Sequence, residues 1–316
     1  MKLSQLQLVS SLPIDSLAAL TGSLICLSLS PIFIRLSEIE IGPSATAFNR
    51  FWIAGVAFAL LSKVLAVHQG DKDTQPEQEK RHQLASAPLL IADGFLLSMG
   101  VISWAWSLTQ SSVANSTMMH NLAPIFTVLG GWLALGKNFD LRFLIGMLVA
   151  IAGATLLEIN DLFSSSISPQ ILGDLAALLS AVFFGVHPLI AEQLRTNFNS
   201  VTIMTWSSIT SFLLLLPITL IAEKQLFPSS VIGWFAVIAL ALIGQMLGVG
   251  LWTYCLKKLS SGLVSLVGLV IPALSAVESW IFLSENLSLL TGISFTVILL
   301  GMYLAISSTS AIKSEV

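Results

Sequence analysis

The sequence contains few charged residues. Asp, Glu, Lys and Arg together make up 10% of its 316 residues, whereas a typical soluble domain carries about 25%. So few charges could not cover the surface of a soluble protein of this length, which excludes that class. A hydrophobic content of 55% also excludes a disordered chain. Nucleic-acid binding is disfavoured, because the net charge is −3 and the sequence has no basic patch.

Cysteines and catalytic motifs are also scarce. The two cysteines, Cys26 and Cys255, lie in apolar runs without a Cys-x-x-Cys spacing, so we expect neither a metal site nor a disulfide framework. The sequence has no Gly-x-Ser-x-Gly, no His-Glu-x-x-His and no Asp-rich metal motif. An intramembrane enzyme is therefore the least favoured function, and we expect no cofactor.

Long apolar runs are what the sequence has in abundance. A membrane-spanning helix needs roughly 20 consecutive, mostly apolar residues. Runs of about this length predict an all-α integral membrane protein with ten transmembrane helices in a lipid bilayer. A polar stretch at 68–86 is predicted to be a solvated loop. The ten runs cover residues 15–37, 44–67, 87–109, 113–136, 140–158, 173–193, 198–222, 230–256, 262–283 and 287–308.

Lysine and arginine are distributed unevenly between the two sides of the predicted bundle. With a cytoplasmic N-terminus, only Arg35 and Lys224 fall outside, and Arg50 lies within the second run. This asymmetry predicts ten spans with both termini cytoplasmic, in the inner (plasma) membrane of the cell. The cytoplasmic group is Lys2, Lys63, Lys72, Lys80, Arg81, Lys137, Arg142, Arg195, Lys257, Lys258 and Lys313.

The two halves of the chain resemble each other. At a shift of 148 residues, Trp104 aligns with Trp252 and Pro124 with Pro272; the first runs align at a shift of 158. We predict two five-helix repeats, residues 1–158 (including the loop 68–86) and 159–316. Because five is odd, the second repeat lies inverted in the membrane. Inverted repeats are typical of secondary transporters, whose substrate site lies near the midplane between the halves.

Several motifs resemble those of the drug/metabolite transporter superfamily, in its ten-helix EamA-type branch. The first half contains Ala47-Phe48-Asn49-Arg50-Phe51, Asn121-Leu122-Ala123-Pro124-Ile125-Phe126 and Leu133-Ala134-Leu135-Gly136. The second half repeats the pattern in Val270-Ile271-Pro272 and Leu283-Ser284-Glu285. Lys137 departs from the family, which usually has Glu after the corresponding Leu-Gly.

The resemblance implies a permease for small polar metabolites, in some members amino acids or drugs. We expect a small-molecule substrate, alternating access and net export. A channel or a non-transporting membrane scaffold is the alternative. The sequence leaves the choice between monomer and homodimer open.

Polar residues within the apolar runs are the candidate substrate-binding residues, because an ionisable group at the centre of a membrane helix costs roughly 2.5–3.5 kcal/mol. Arg50 is a candidate partner for an anionic substrate group; the alternative is an outward reach to the headgroups. His120 and Asn121 precede Pro124 and are candidates to line a cavity, or else to bond neighbouring helices. Gln245, within Gly-x-x-x-Gly, has the same two interpretations.

Three further ionisable residues lie closer to the predicted span ends. His187 precedes Pro188, where we favour a hinge over substrate contact. Glu278 is a candidate substrate or proton site, or else reaches the outer surface. Asp93 lies near the inner end of the third run, and we expect it at the surface.

A duplicated aromatic pair completes the candidate site. Trp104 and Trp106 correspond to Trp252 and Tyr254 at the shift of 148. An interfacial belt is the favoured interpretation, with an aromatic-lined cavity around Trp104 and Trp252 as the alternative. The matched Pro124 and Pro272 are predicted to be kinks that let the halves rock.

Overall fold

Helices follow one another along the part of the chain that the computed structural model describes, residues 14–68, 85–111, 113–157, 171–283, 289–308 and 310. Most of the polar loop and the boundary between the predicted repeats lie outside these residues. We label the helices as follows: α1 Ile14–Ser28 and Ser30–Ser37, α2 Pro43–His68, α3 Ala87–Gln110, α4 Val113–His120 and Ala123–Leu135, α5 Leu141–Leu157, α6 Ile171–Leu194, α7 Ser200–Ala222, α8 Val231–Cys255, α9 Ser261–Val267 and Ile271–Leu283, and α10 Leu289–Ile306.

The helices match the ten apolar runs. Within the described residues, nine are long and apolar enough to cross a membrane, and α5, with 17 residues, is a shorter apolar helix. The predicted all-α membrane fold is therefore confirmed. The chain is a multi-pass membrane protein.

Local chemistry sets several helix boundaries. Asn199, Ser230 and Ser260 precede α7, α8 and α9, and the side chain of each accepts a hydrogen bond from the backbone amide three residues later. α4 ends at Gly136, whose φ of 61° is the left-handed conformation that glycine adopts without strain. These turns fix where each span begins or ends.

Three spans are irregular just before a proline. α1 is interrupted at Leu29, two residues before Pro31, and α4 at 121–122, before Pro124. In α9, a 3₁₀ turn over Gly268–Val270 precedes Pro272. Proline lacks a backbone N–H and removes one helical hydrogen bond, which explains these breaks. Irregular segments thus precede both Pro124 and Pro272; that they are kinks that let the halves rock stays a prediction.

The α5–α10 contact depends on glycine. A Cβ built on Gly146 would lie 2.6 Å from the Gly301 carbonyl oxygen and 2.7 Å from the Ala305 nitrogen. A Cβ on Gly153 would lie 2.8 Å from the Ile298 nitrogen. Later residues of α5 therefore contact earlier residues of α10, so the two helices run antiparallel. Glycine lets their backbones approach closely.

One interhelical hydrogen bond occurs in both halves of the chain. Ser23 of α1 donates to the Gly248 carbonyl of α8 at 2.7 Å. Ser180 of α6 donates to the Gly100 carbonyl of α3 at 3.0 Å. The two glycines correspond at the shift of 148, and the serines lie one position apart when the first helices are aligned at the shift of 158. The contacts thus pair helices from different halves in the same way.

Candidate substrate site

Arg50 and Gln245, predicted separately as site residues, are in direct contact. Arg50 Nε of α2 donates to Gln245 Oε1 of α8 at 2.8 Å. The Gln245 side chain is fully buried and its Nε2 has no protein partner among the described residues. Arg50 therefore points into the bundle, not outward to the headgroups.

The backbone around Gln245 is unusual. Residues Leu240–Val249 form a π-helical segment, a conformation often found at functional sites. A Cβ on Gly244 would lie 2.6 Å from Ser30 Oγ, so α8 touches α1 beside its break. The close approach that the Gly-x-x-x-Gly spacing predicted is therefore present.

Glu278 lies at the break in α1. Ser28 Oγ donates to Glu278 Oε1 at 2.7 Å, and Ser275 Oγ donates to the Ser28 carbonyl at 2.7 Å. The second carboxyl oxygen, Oε2, is buried without a hydrogen-bond partner in the described structure. Glu278 is half-buried, and its carboxyl group is directed to the break in α1. It offers an unsatisfied acceptor near the Ser30–Gly244 contact.

His120 lies in an aromatic setting on the other half of the bundle. Its ring centroid is 5.7 Å from that of Trp104 and 5.0 Å from that of Phe184. His120 Nδ1 lies 3.1 Å from Ser180 Oγ. Because the single Ser180 hydroxyl proton is donated to Gly100, His120 Nδ1 is the donor in this contact. In the neutral ring Nε2 is then left as an acceptor.

Two neighbouring groups are buried without partners. Asn121 Nδ2 and Trp104 Nε1 make no hydrogen bond to the described residues. Trp104 is thus directed inward, whereas Trp106 is 47% exposed. The structure separates the aromatic pair into one inward and one outward residue.

The equivalent tryptophan contacts a glycine. A Cβ on Gly268 would lie 2.9 Å from the Trp252 ring. Trp252 and Gly268 are the repeat counterparts of Trp104 and His120, so both halves keep this contact. Only the first half places a histidine in it.

Asp93 is the clearest correction to the sequence analysis. We expected it at the surface, but its side chain is fully buried. Ser207 Oγ of α7 donates to Asp93 Oδ2, and His187 Nε2 of α6 lies 3.4 Å from Asp93 Oδ1. The physical reason is that α6 and α7 both present polar groups to α3 at the same depth. His187 is 3% exposed, and α6 continues through Pro188 without a break.

The Asp93, His187 and Ser207 cluster is not arranged as a hydrolytic triad. In such a triad, the histidine lies between the serine and the acid. Here the acid lies between the other two, so the imidazole does not activate the serine. Within the described ranges, no group of three His, Cys, Asp or Glu side chains is placed to hold a metal ion.

The predicted site residues therefore form separate contacts. Arg50 meets Gln245, Trp104 meets His120, His187 meets Asp93, and Glu278 meets Ser28. None of them lines the groove of about 590 Å³ between α2, α3, α6 and α7, which Trp106, Thr109 and Ile218 help to form. Sequence reasoning missed Ser28, Ser180 and Ser207, which contact Glu278, His120 and Asp93 on other spans. No sequence signal singles these serines out, because the contacts depend on how the helices pack.

Ion pairs link helices at one end of the bundle. Lys137 Nζ lies 2.5 Å from Glu192 Oε2, which also accepts from the Ser261 amide at 2.9 Å. The lysine that departs from the family motif thus has a specific partner. At the same end, Lys258 binds Asp15 at 2.7 Å, and this hydrogen bond raises the pKa of Lys258.

Comparison with known proteins identifies the chain. The model of the EamA-like transporter family matches residues 16–159 and again residues 171–307. The chain belongs to the EamA-like transporter family. The two matched stretches together cover most of the sequence.

Three relatives carry transporter names. An uncharacterized transporter of Bacillus subtilis, YetK, is 22% identical over 201 residues, which cover 63% of this chain and 59% of that protein. An uncharacterized transporter of Haemophilus influenzae is 26% identical over 203 residues, 62% of this chain and 66% of that protein. A probable terminal-alkyne amino-acid exporter of Streptantibioticus cattleyicolor is 19% identical over 253 residues, 80% of each chain. The chain thus spans about two thirds or less of the first two relatives.

A solved structure has the same fold. A crystallised protein superposes with a TM-score of 0.73 at 18% identity, covering 92% of this chain and 96% of its own. At this identity, the likeness supports the fold alone.

Proposed function

We propose that this EamA-like transporter is a secondary carrier that exports a small metabolite with a carboxylate group, such as an amino acid. The observation that carries the proposal is the Arg50–Gln245 contact. Only Nε of the Arg50 guanidinium is hydrogen-bonded within the described residues, and its partner is a neutral amide. Four N–H donors are left for a ligand, and their planar arrangement suits a carboxylate.

A second polar group suits an amino-acid substrate. Glu278 keeps one buried carboxyl oxygen free. It lies at the break in α1, where the nearby Ser30 touches Gly244, the residue before Gln245 on α8. A substrate ammonium would satisfy that oxygen, while Arg50 holds the carboxylate. The name of the Streptantibioticus relative, a probable amino-acid exporter, is compatible with this class.

We propose alternating access between two inverted repeats, residues 1–158 and 159–316. The antiparallel α5–α10 pair and the repeated Ser–Gly hydrogen bonds support this arrangement, because equivalent contacts recur between the halves. The irregular segments at Pro124 and Pro272 would allow the halves to rock. The placement of Lys and Arg favours cytoplasmic termini in the inner membrane.

In the described conformation, the end where Lys137 is linked to Glu192 would be the cytoplasmic one. A carrier must break this contact to load its substrate from that side.

Solute release from proteoliposomes tests the function. Vesicles that contain the protein and vesicles without it are loaded with the same broad metabolite mixture. Mass spectrometry then identifies the solutes that leave only when the protein is present. We expect carboxylate-bearing solutes, amino acids first, to leave. Arg50→Gln should reduce this release at least tenfold, whereas Tyr303→Phe, a change on the exposed face of α10, should not. Release of cationic or neutral solutes only, unaffected by Arg50→Gln, would contradict the proposal.

A further inference from the structure

A buried acid and base face each other away from the Arg50 contact. Asp93 is the only titratable residue on α3, and α7, which supplies Ser207, has none. Asp93 and His187 are almost completely buried, and His187 Nε2 lies 3.4 Å from Asp93 Oδ1. Burying ionisable groups within membrane helices is costly, so the pair needs a reason to be there.

The pair is isolated from other charges. Among the described side chains, the other titratable groups on the helices packed against α3 and α6 bond elsewhere: Asp174 with Ser111, Glu192 with Lys137, Arg50 with Gln245, His120 with Ser180, Tyr254 with Asp15, Cys255 with the Ser16 carbonyl and Glu278 with Ser28. Lys63 on α2 is exposed. Arg195, one residue beyond α6, is buried and donates to the carbonyls of Thr253 and Phe198. Within the described structure, no other charged side chain pairs with Asp93 or His187.

An apolar layer separates the pair from one end of the helices. Leu90, Leu194, Phe198 and Ile203 form a buried cluster about one to two turns beyond Asp93, His187 and Ser207. Next to Asp93, a Cβ on Gly94 would lie 2.7 Å from the Ser207 carbonyl oxygen, so α3 and α7 are in direct contact beside the pair. These contacts close the pair off from that end of the helices.

We propose that Asp93 and His187 form the proton-coupling site of this transporter. In the closed state, the pair holds one proton as imidazolium and carboxylate, which together are neutral and suit a dry interior. When the apolar cluster opens, the proton leaves His187 Nε2 for water, and the pair becomes a neutral imidazole beside a hydrated carboxylate. Ser207 keeps Asp93 in place in both states. The inference rests on the proposed transport function.

Comparing transport driven by a pH gradient with exchange at equal pH distinguishes a loss of proton coupling from a loss of transport. Proteoliposomes are tested with a mixture of the twenty common amino acids, once with a pH gradient and once as exchange at equal pH. With one proton per solute, a gradient of one pH unit supports up to about tenfold accumulation. Asp93→Asn should reduce that ratio to one while keeping exchange within about twofold of the parent. Asp174→Asn, on the same helix as His187 but bonded to Ser111, is the matched control and should keep both.

Each result decides something different. Exchange without any effect of the pH gradient in the parent protein would overturn the coupling and leave the transport function standing. Gradient-driven accumulation retained in Asp93→Asn would overturn the site. Absence of both activities in the parent would remove the proposed function, and the coupling with it.

A measurement independent of transport covers the case in which Asp93→Asn also loses exchange. In protein with labelled histidine, the ring signal of His187 is the one missing from His187→Gln. The proposal predicts the ring nitrogen shifts of an imidazolium for His187 in the parent and those of a neutral imidazole in Asp93→Asn, which removes the stabilising carboxylate. Identical His187 ring signals in the two folded proteins would overturn the proposal.

Discussion

The contact between α5 and α10 gives a quantitative test of the packing. Gly146→Ala places a methyl group 2.6 Å from one backbone atom of α10 and 2.7 Å from another. Because neither atom can rotate away, the helices must separate, and such overpacking costs about 1–3 kcal/mol. Gly292→Ala on α10 is the matched control, since a Cβ there meets nothing within 4 Å.

Both changes carry the same intrinsic helix preference, in which alanine is favoured over glycine by about 1 kcal/mol. Gly146→Ala should therefore be less stable than Gly292→Ala by about 1–3 kcal/mol. The assay is reversible unfolding in mixed micelles with increasing dodecyl sulfate, followed by far-UV circular dichroism. Equal free energies of unfolding for the two variants would refute the conclusion that glycine is needed for close approach of α5 and α10.

Three further predictions concern named contacts. Glu40 accepts hydrogen bonds from Ser229 and Ser230 at the start of α8, and these bonds lower its pKa to about 2. Because the folded-state pKa is below the ordinary value of 4.5, this stabilisation is present above pH 4.5 and is lost as the pH falls toward 2. The difference in Tm between the parent and Glu40→Gln should therefore shrink as the pH falls from 4.5 toward 2. A Tm difference that stays constant over this range would contradict the prediction. Lys137→Met should cost roughly 1–3 kcal/mol because it strands the buried Glu192 carboxylate. Adding Glu192→Gln should recover much of the loss in the same unfolding assay, and no recovery would argue against the pair. His120→Ala should reduce solute release without loss of membrane insertion, and release at the parental rate would remove His120 from the site.

Span positions could be predicted from the sequence because they depend on local composition. The apolar runs are long, and proline interrupts them at positions such as Pro124 and Pro272, so both the helices and two of their breaks follow from local rules. The third break, at Leu29, was missed, although Pro31 carries the same signal.

Contacts between spans could not be predicted in the same way. Arg50 and Gln245 were each singled out as costly polar groups, but their hydrogen bond joins residues 195 positions apart. Asp93 was misplaced because its distance from the span end resembles that of a surface residue. Its burial depends on His187 and Ser207, which only helix packing brings to the same depth.

Saturable counterflow tests the transport function most directly. Proteoliposomes preloaded with an unlabelled amino acid should transiently accumulate the labelled form from outside, and Arg50→Gln should suppress this accumulation at unchanged folding and insertion. A channel or a scaffold shows no counterflow. Absence of counterflow for every amino acid that the parent protein releases, with the protein folded and inserted, would contradict the carrier mechanism.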